Sequence, residues 1–165
     1  RAASSPGKRV NLNEQLKEAI KISKYSVNFD KVELLTDCQD VPLINGNAGE
    51  IEQVFVNLLN NAVEAMQGSG RLSVTSRHED GAVVITIKDT GPGIGKENLN
   101  KLFTPFFTTK DPGKGTGLGL NIVHKIIMNH RGSISVESEE GKGTAFIVRF
   151  PTALELPDEK PTENK

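Results

Sequence analysis

Three groups of residues combine types and spacings that can do chemistry. The first is Asn57, Asn61 and Glu64, which at about 100° per residue fall within roughly 60° of one another on one helix face. They lie beside an apolar stripe of Ile51, Val54, Phe55, Leu58, Leu59, Ala62 and Met66. Asparagine costs about 0.6 kcal/mol against alanine in a helix, and positions 57, 60 and 61 are all asparagine, so something other than helix stability selects them. An amide carbonyl is a hard, neutral oxygen suited to Mg2+, which takes few protein ligands and binds substrate phosphates. A solvated polar face is the other reading of the same residues.

The second group is Asp89-Thr90-Gly91-Pro92-Gly93-Ile94-Gly95. It follows an alternating segment in which Val83, Ile85, Ile87 and Asp89 share a face, so a carboxylate ends an apolar row. A buried carboxylate needs a donor, which the exocyclic amine of adenine can supply, while Gly91 and Gly93 let backbone approach a base. An Asx turn opening a Gly/Pro turn competes with that reading. The third group, Gly113-Lys114-Gly115-Thr116-Gly117-Leu118-Gly119-Leu120, leads into an apolar helix. Unpaired N–H groups, the positive end of the helix dipole and bare glycines suit a polyphosphate there, although a flexible linker would look similar. Lys110 could meet a terminal phosphate as a point charge or stand solvated. Neither glycine segment is a Rossmann fingerprint or a Walker A loop: the first carries proline and opens no helix, and Lys114 is followed by glycine where Ser or Thr is needed.

The elements that must position these groups follow from periodicity. Helices are expected over residues 12–25, 48–66 with Asn47 as N-cap, and 116–129, ended by Gly132, with a short one near 96–102. Strands are expected over 31–36, 42–44, 71–77, 82–88, 133–137 and 144–150, with a hairpin turn at 79–81. Strands clustered as hairpins with helices between them predict an α+β fold, a two-layer α/β sandwich with helices packed on one face of a mixed, largely antiparallel sheet. Residues 107–115, after the aromatic cluster at 103–107, read as a lid.

Composition narrows the function classes. The 165 residues carry 20 Lys and Arg against 21 Asp and Glu, with no basic run, which argues against nucleic acid as a partner. One cysteine, Cys38, permits no internal disulfide and suits a cytoplasmic setting. No apolar run reaches the roughly 20 residues of a membrane span, so no membrane contact is expected of this domain, and a membrane-anchored parent protein stays compatible. Residues 1–9 read as a linker remnant, 10–151 as the domain, and 152–165 as a disordered tail.

In this order the three groups resemble the histidine-kinase branch of the Bergerat-fold ATPases. Asn57-Leu58-Leu59-Asn60-Asn61-Ala62 looks like the N box, residues 89–95 the G1 box, 103–107 the F box and 115–119 the G2 box, and the likeness spans residues 10–151. The resemblance implies that Asn61 binds Mg2+, Asp89 takes the adenine amine, and Thr144 helps hold the base through water. It implies that Gly115, Thr116, Gly117, Leu118 and Gly119 hold the phosphates, and that Ile94, Leu102 and Leu118 wall the adenine pocket. Asn57, Asn61 and Lys110 are the expected catalytic residues.

Hydrolytic members of the superfamily carry a glutamate base where Asn57 stands. An amide there argues for phosphoryl transfer over hydrolysis. Glu64 would repel phosphates unless it works through Mg2+-bound water or ribose. The implied function is an ATP- and Mg2+-dependent protein histidine kinase domain, passing the γ-phosphoryl to a histidine on the phosphoacceptor domain of the same parent protein, with a response regulator receiver domain downstream. His78, His124 and His130 do not match the acceptor motif, so the chain alone is not expected to autophosphorylate. A hydrolytic ATPase and a nucleotide-gated protein-interaction module are the alternatives.

Overall fold

The structure, a computed structural model, describes residues 8–103 and 118–153. Along the chain run β1 (Lys8–Val10), α1 (Leu12–Ser26), β2 (Lys31–Cys38), β3 (Ile44–Gly46), α2 (Ala48–Ala65) and β4 (Ser69–Glu79). There follow β5 (Ala82–Asp89), α3 (Lys96–Leu99), α4 (Leu118–Asn129), β6 (Ser133–Glu139) and β7 (Gly143–Pro151).

Both long N-terminal helices start on asparagine caps. The Asn11 side chain accepts from the N–H groups of Asn13 and Glu14, and that of Asn47 from Glu50, at 2.9 Å. Helix α1 buries Leu12, Leu16, Ala19 and Ser23, and α2 buries its expected stripe together with Val63. The Ser23 hydroxyl donates to Asn60 Oδ1 at 2.5 Å, so the middle asparagine of α2 ties the two helices together.

Five strands form one sheet in the order β2-β4-β5-β7-β6, with β2 and β4 parallel and the other neighbours antiparallel. Alternation along β4, β5 and β7 places Leu72, Val74, Ile85, Ile87, Phe146, Val148 and Phe150 under the helices. Thr75, Thr86, Lys88 and Arg149, from the alternate positions, stay half-buried or exposed. Helices on one face and solvent on the other make the two-layer α+β sandwich that the sequence predicts.

Several boundaries differ from expectation. Lys8 and Arg9, assigned to a linker, pair with Gly46 and Asn45 in a two-stranded ribbon, because the adjacent Val10 is buried and draws the chain against β3. The strand expected at 42–44 lies at Ile44–Gly46. At the other end Thr152 is buried, its N–H bonds to the Gly81 carbonyl at 3.0 Å, and the Ala153 N–H reaches the Leu43 carbonyl at 2.9 Å, so the domain passes the limit set at 151. Helix α4 ends through Arg131, whose φ of 62° takes the left-handed position, while the Gly132 N–H bonds back to the Ile127 carbonyl at 2.9 Å. Gly132 is needed for space: a Cβ there would lie 2.3 Å from the Arg149 carbonyl oxygen.

Gly143 opens β7 with φ +107°, and a Cβ there would stand 2.1 Å from the Asp89 carbonyl oxygen. Gly143→Ala is therefore expected to destabilise the domain by roughly 1–3 kcal/mol or more, read as a lowered Tm in a thermal melt. An unchanged Tm would contradict this close approach.

Candidate functional site

Strand register lines up one row of side chains across four strands: Leu72 opposite Asp89, Asp89 opposite Thr144, and Thr144 opposite Ser138. The next row on the same face is Val74, Ile87, Phe146 and Val136. Beyond it lie Ser76, Ile85, Val148 and Ile134, where the Ser76 hydroxyl donates to Asn13 Oδ1 at 2.6 Å. The helix-facing surface of the sheet thus turns polar at the end marked by Asp89, where three of the four side chains in the row Leu72, Asp89, Thr144 and Ser138 can form hydrogen bonds.

Asp89 is 3% exposed. Its Oδ1 accepts the Gly91 N–H at 2.8 Å, closing the Asx turn that the sequence allowed, and the Thr144 N–H also donates to the carboxylate. Burial pushes its pKa above the ordinary carboxylate value, and these two backbone donors offset that only in part. The carboxylate is thus a desolvated acceptor that would gain from one more donor.

Ser138 gathers the neighbouring backbone. Its hydroxyl accepts the Ile94 N–H at 2.7 Å, donates to the Gly143 carbonyl at 3.0 Å, and lies 3.0 Å from the Thr144 hydroxyl. The loop after β5 is bound to the β6–β7 turn from its other side too, since the Gly141 N–H bonds to the Pro92 carbonyl at 2.6 Å. Gly93 has φ +81°, and a Cβ there would fall 2.2 Å from the Glu139 carbonyl oxygen. Its bare backbone permits this close packing on the turn. Gly91 instead sits against α2, where a Cβ would lie 3.2 Å from the Ala65 carbonyl oxygen. Thr90 accepts the Arg71 N–H at 3.1 Å and contacts Met66 Sδ at 3.5 Å, which fixes the loop to the end of that helix.

Along α2 the expected residues follow one another. Asn57 Nδ2 donates to the Gly119 carbonyl at 3.4 Å, bringing the N-box helix against the start of α4. Asn61 is half-buried one turn further on, and Ala65, beneath Gly91, one turn beyond that. Residues 57 to 65 cover about 12 Å of helix axis, so Asn61 lies midway between the Gly119 end and the Asp89 end. Glu64 is exposed, Ile94 half-buried and Leu102 buried. Lys110, Gly115, Thr116, Gly117, the Leu118 side chain, the lid expected at 107–115 and most of the tail lie outside the described residues. Among the described residues no group of three His, Cys, Asp or Glu side chains could hold a metal ion.

The histidines have other work. His130 Nδ1 lies 2.8 Å from the Ile126 carbonyl and its Nε2 accepts the Asn47 N–H at 3.0 Å. With both ring nitrogens engaged by backbone, His130 fastens the end of α4 to the start of α2. The ring of His124 lies 5.2 Å from that of Phe103, and His78 is exposed on β4.

Ser138 is the site residue that sequence reasoning missed. The strand expected at 133–137 stops one residue short of it, although Ile134, Val136 and Ser138 continue a single alternation.

With a buried polar row beside an asparagine-bearing helix, the chain belongs to the histidine kinase-, DNA gyrase B- and HSP90-like ATPases, whose family model matches residues 46–154. Within that class it is similar to histidine kinases and to their catalytic domains. Sporulation kinase A of Bacillus subtilis (strain 168) is 39% identical over 143 residues, which are 86% of this chain and 23% of that protein. Sensor histidine kinase ZraS of Escherichia coli (strain K12) is 36% identical over 150 residues, 90% of this chain and 32% of that one. The chain therefore spans a third or less of these curated relatives.

Among solved structures, the catalytic domain of histidine kinase ThkA superposes with a TM-score of 0.78 at 33% identity, covering 88% of this chain and 95% of that one. ThkA in complex with response regulator protein TrrA gives 0.76 at 30% identity, over 92% of this chain and 43% of that one. Full-length ShkA in complex with AMPPNP gives 0.79 at 26% identity, over 92% and 32%.

Proposed function

We propose that this domain binds ATP with Mg2+ and presents the γ-phosphoryl to a histidine carried by another domain of its parent protein. The observation that carries the reading is the polar end of the sheet. Asp89, desolvated and held by two backbone donors, stands beside Thr144 at one end of α2, with Asn61 and Asn57 leading from there to Gly119. A nucleotide laid along α2 places its amine on Asp89 and its phosphates toward Asn61, Asn57 and the start of α4. The similarity to ShkA, solved with AMPPNP, supports that ligand class.

Asn61 offers a carbonyl oxygen to the cation, a ligand type that suits Mg2+ arriving with phosphates. Bound Mg2+ supplies neutralisation of the charge that builds on the transferring phosphoryl. Gly119 and the preceding glycines, with Lys110, complete the phosphate end, and Ile94, Leu102 and Leu118 wall the base. Glu64 reaches ribose or metal-bound water from the exposed edge of the same face. Asn57 holds position without basicity: an amide does not take a proton from water, so transfer to a nucleophile supplied elsewhere prevails over hydrolysis. His130 and His124, engaged within the fold, do not serve as that nucleophile.

The acceptor is the phosphoacceptor histidine domain of the parent, and the product then serves a response regulator receiver domain, as the ThkA complex with TrrA suggests. No described helix is long and apolar enough to cross a membrane. A cytoplasmic site of action, where ATP is available, agrees with a single exposed cysteine.

Calorimetric titration tests the nucleotide reading. Saturable ATP binding that strengthens with Mg2+ and exceeds GTP binding is expected, and absence of ATP binding would overturn it. Adding a separately produced histidine-bearing helical domain should then yield phosphohistidine. ATP binding without any transfer would make the domain a nucleotide-gated interaction module instead.

A further inference from the structure

We propose that Ser138 fixes the hydroxyl polarity of Thr144 so that the polar row presents acceptors alone, and thereby selects a 6-aminopurine over a 6-oxopurine. This rests on the reading of the row as a base site.

The argument is one of proton counting. A serine hydroxyl has one proton and two lone pairs. Ser138 accepts from the Ile94 N–H at 2.7 Å, and the Gly143 carbonyl, 3.0 Å away, can only accept, so it takes the Ser138 proton. The remaining contact, to Thr144 Oγ1 at 3.0 Å, must then be donated by threonine. With its proton committed to Ser138, Thr144 offers only lone pairs to a ligand. Asp89, opposite Thr144 in the ladder, is likewise an acceptor when ionised. Two acceptors side by side fit an exocyclic NH2, which has two protons to give, directly or through one water. A carbonyl oxygen in the same place meets lone pairs from both.

Desolvation sharpens the discrimination, since Thr144 and Asp89 are both nearly buried and a mispaired acceptor there cannot turn to bulk water. Without Ser138 the Thr144 hydroxyl is free to rotate and donate toward the ligand. The row would then accept a 6-oxo group at lower cost. Ser138 is in this sense a positioning residue, acting on the ligand through Thr144.

The test uses the intact chain, with ATP and inosine triphosphate as probes that share sugar and phosphates. The unsubstituted chain is expected to prefer ATP, and Ser138→Ala to lower the ATP-to-ITP affinity ratio by about tenfold. Ser138→Thr, which keeps the hydroxyl, should restore the ratio. Thr144→Val should lower the ratio similarly, and adding Ser138→Ala to it should lower it no further. A merely structural role for Ser138 would weaken both nucleotides alike and leave the ratio unchanged, which would overturn the proposal. Should Ser138→Ala fail to fold, an unchanged ratio in Thr144→Val would overturn it as well. Failure of the unsubstituted chain to bind either nucleotide would instead overturn the base-site reading, so the two failures are distinct.

Discussion

Asp89→Asn is expected to weaken ATP binding by roughly 10- to 100-fold while leaving the Tm unchanged or higher, because the same burial that makes the carboxylate useful to a ligand makes it costly to the free protein. The carboxylate can accept from Gly91, Thr144 and an adenine amine at once. An amide presents one oxygen and one NH2, so a donor meets a donor whichever way it is turned.

The stability side has a definite sign. Desolvation raises the native pKa above the ordinary value of 3.8, so between 3.8 and the native value the folded state binds more protons than the unfolded chain. The contribution of Asp89 to stability is therefore full below 3.8 and is lost as pH rises through the native pKa. The asparagine variant lacks this slope. ATP binding, which requires the ionised form, should weaken as pH falls through the same native pKa, and only in the unsubstituted chain. Melts and titrations across acid pH measure both trends, and equal ATP affinity in the two proteins would refute the amine contact.

Asn61→Ala is expected to abolish the Mg2+ dependence of ATP binding and to lower phosphotransfer to a supplied acceptor domain by roughly 100-fold or more. Adenosine monophosphate should bind the variant almost normally, since base recognition in this reading rests on Asp89 and Thr144. The fold should not suffer, because Asn61 is half-buried and alanine is the better helix former by about 0.6 kcal/mol. Full retention of the Mg2+ effect in this variant would refute the ligand role.

Much of this was legible in the sequence because the informative residues break local rules. Asparagines in a helix and an aspartate ending an apolar strand row are unfavourable unless used, and Asp89 is indeed buried at that row's end. The three asparagines of α2 nevertheless part company. Asn60 accepts from Ser23, 37 residues away, a contact no spacing rule anticipates. The packing of Gly93 against the Glu139 carbonyl was hidden for a similar reason, since that partner lies 46 residues away in sequence. Ser138 escaped because serine on an alternating strand carries no signal until register sets it beside Thr144. Boundaries slipped where long-range pairing decides them: Lys8 and Arg9 become strand only because β3 lies alongside.

The alignment of Asn57, Asn61 and Ala65 along one helix restricts how this gene can change. Deleting or inserting one residue between positions 57 and 65 turns everything beyond it by about 100° and shifts it by about 1.5 Å. Such a change would break the line from the Gly119 end to the Asp89 end and would also turn part of the buried stripe of Leu58, Leu59, Ala62 and Val63 out of the core. Lineages descending from this sequence should therefore vary in length within loops and hold that nine-residue interval constant, even where the intervening apolar residues exchange freely for one another.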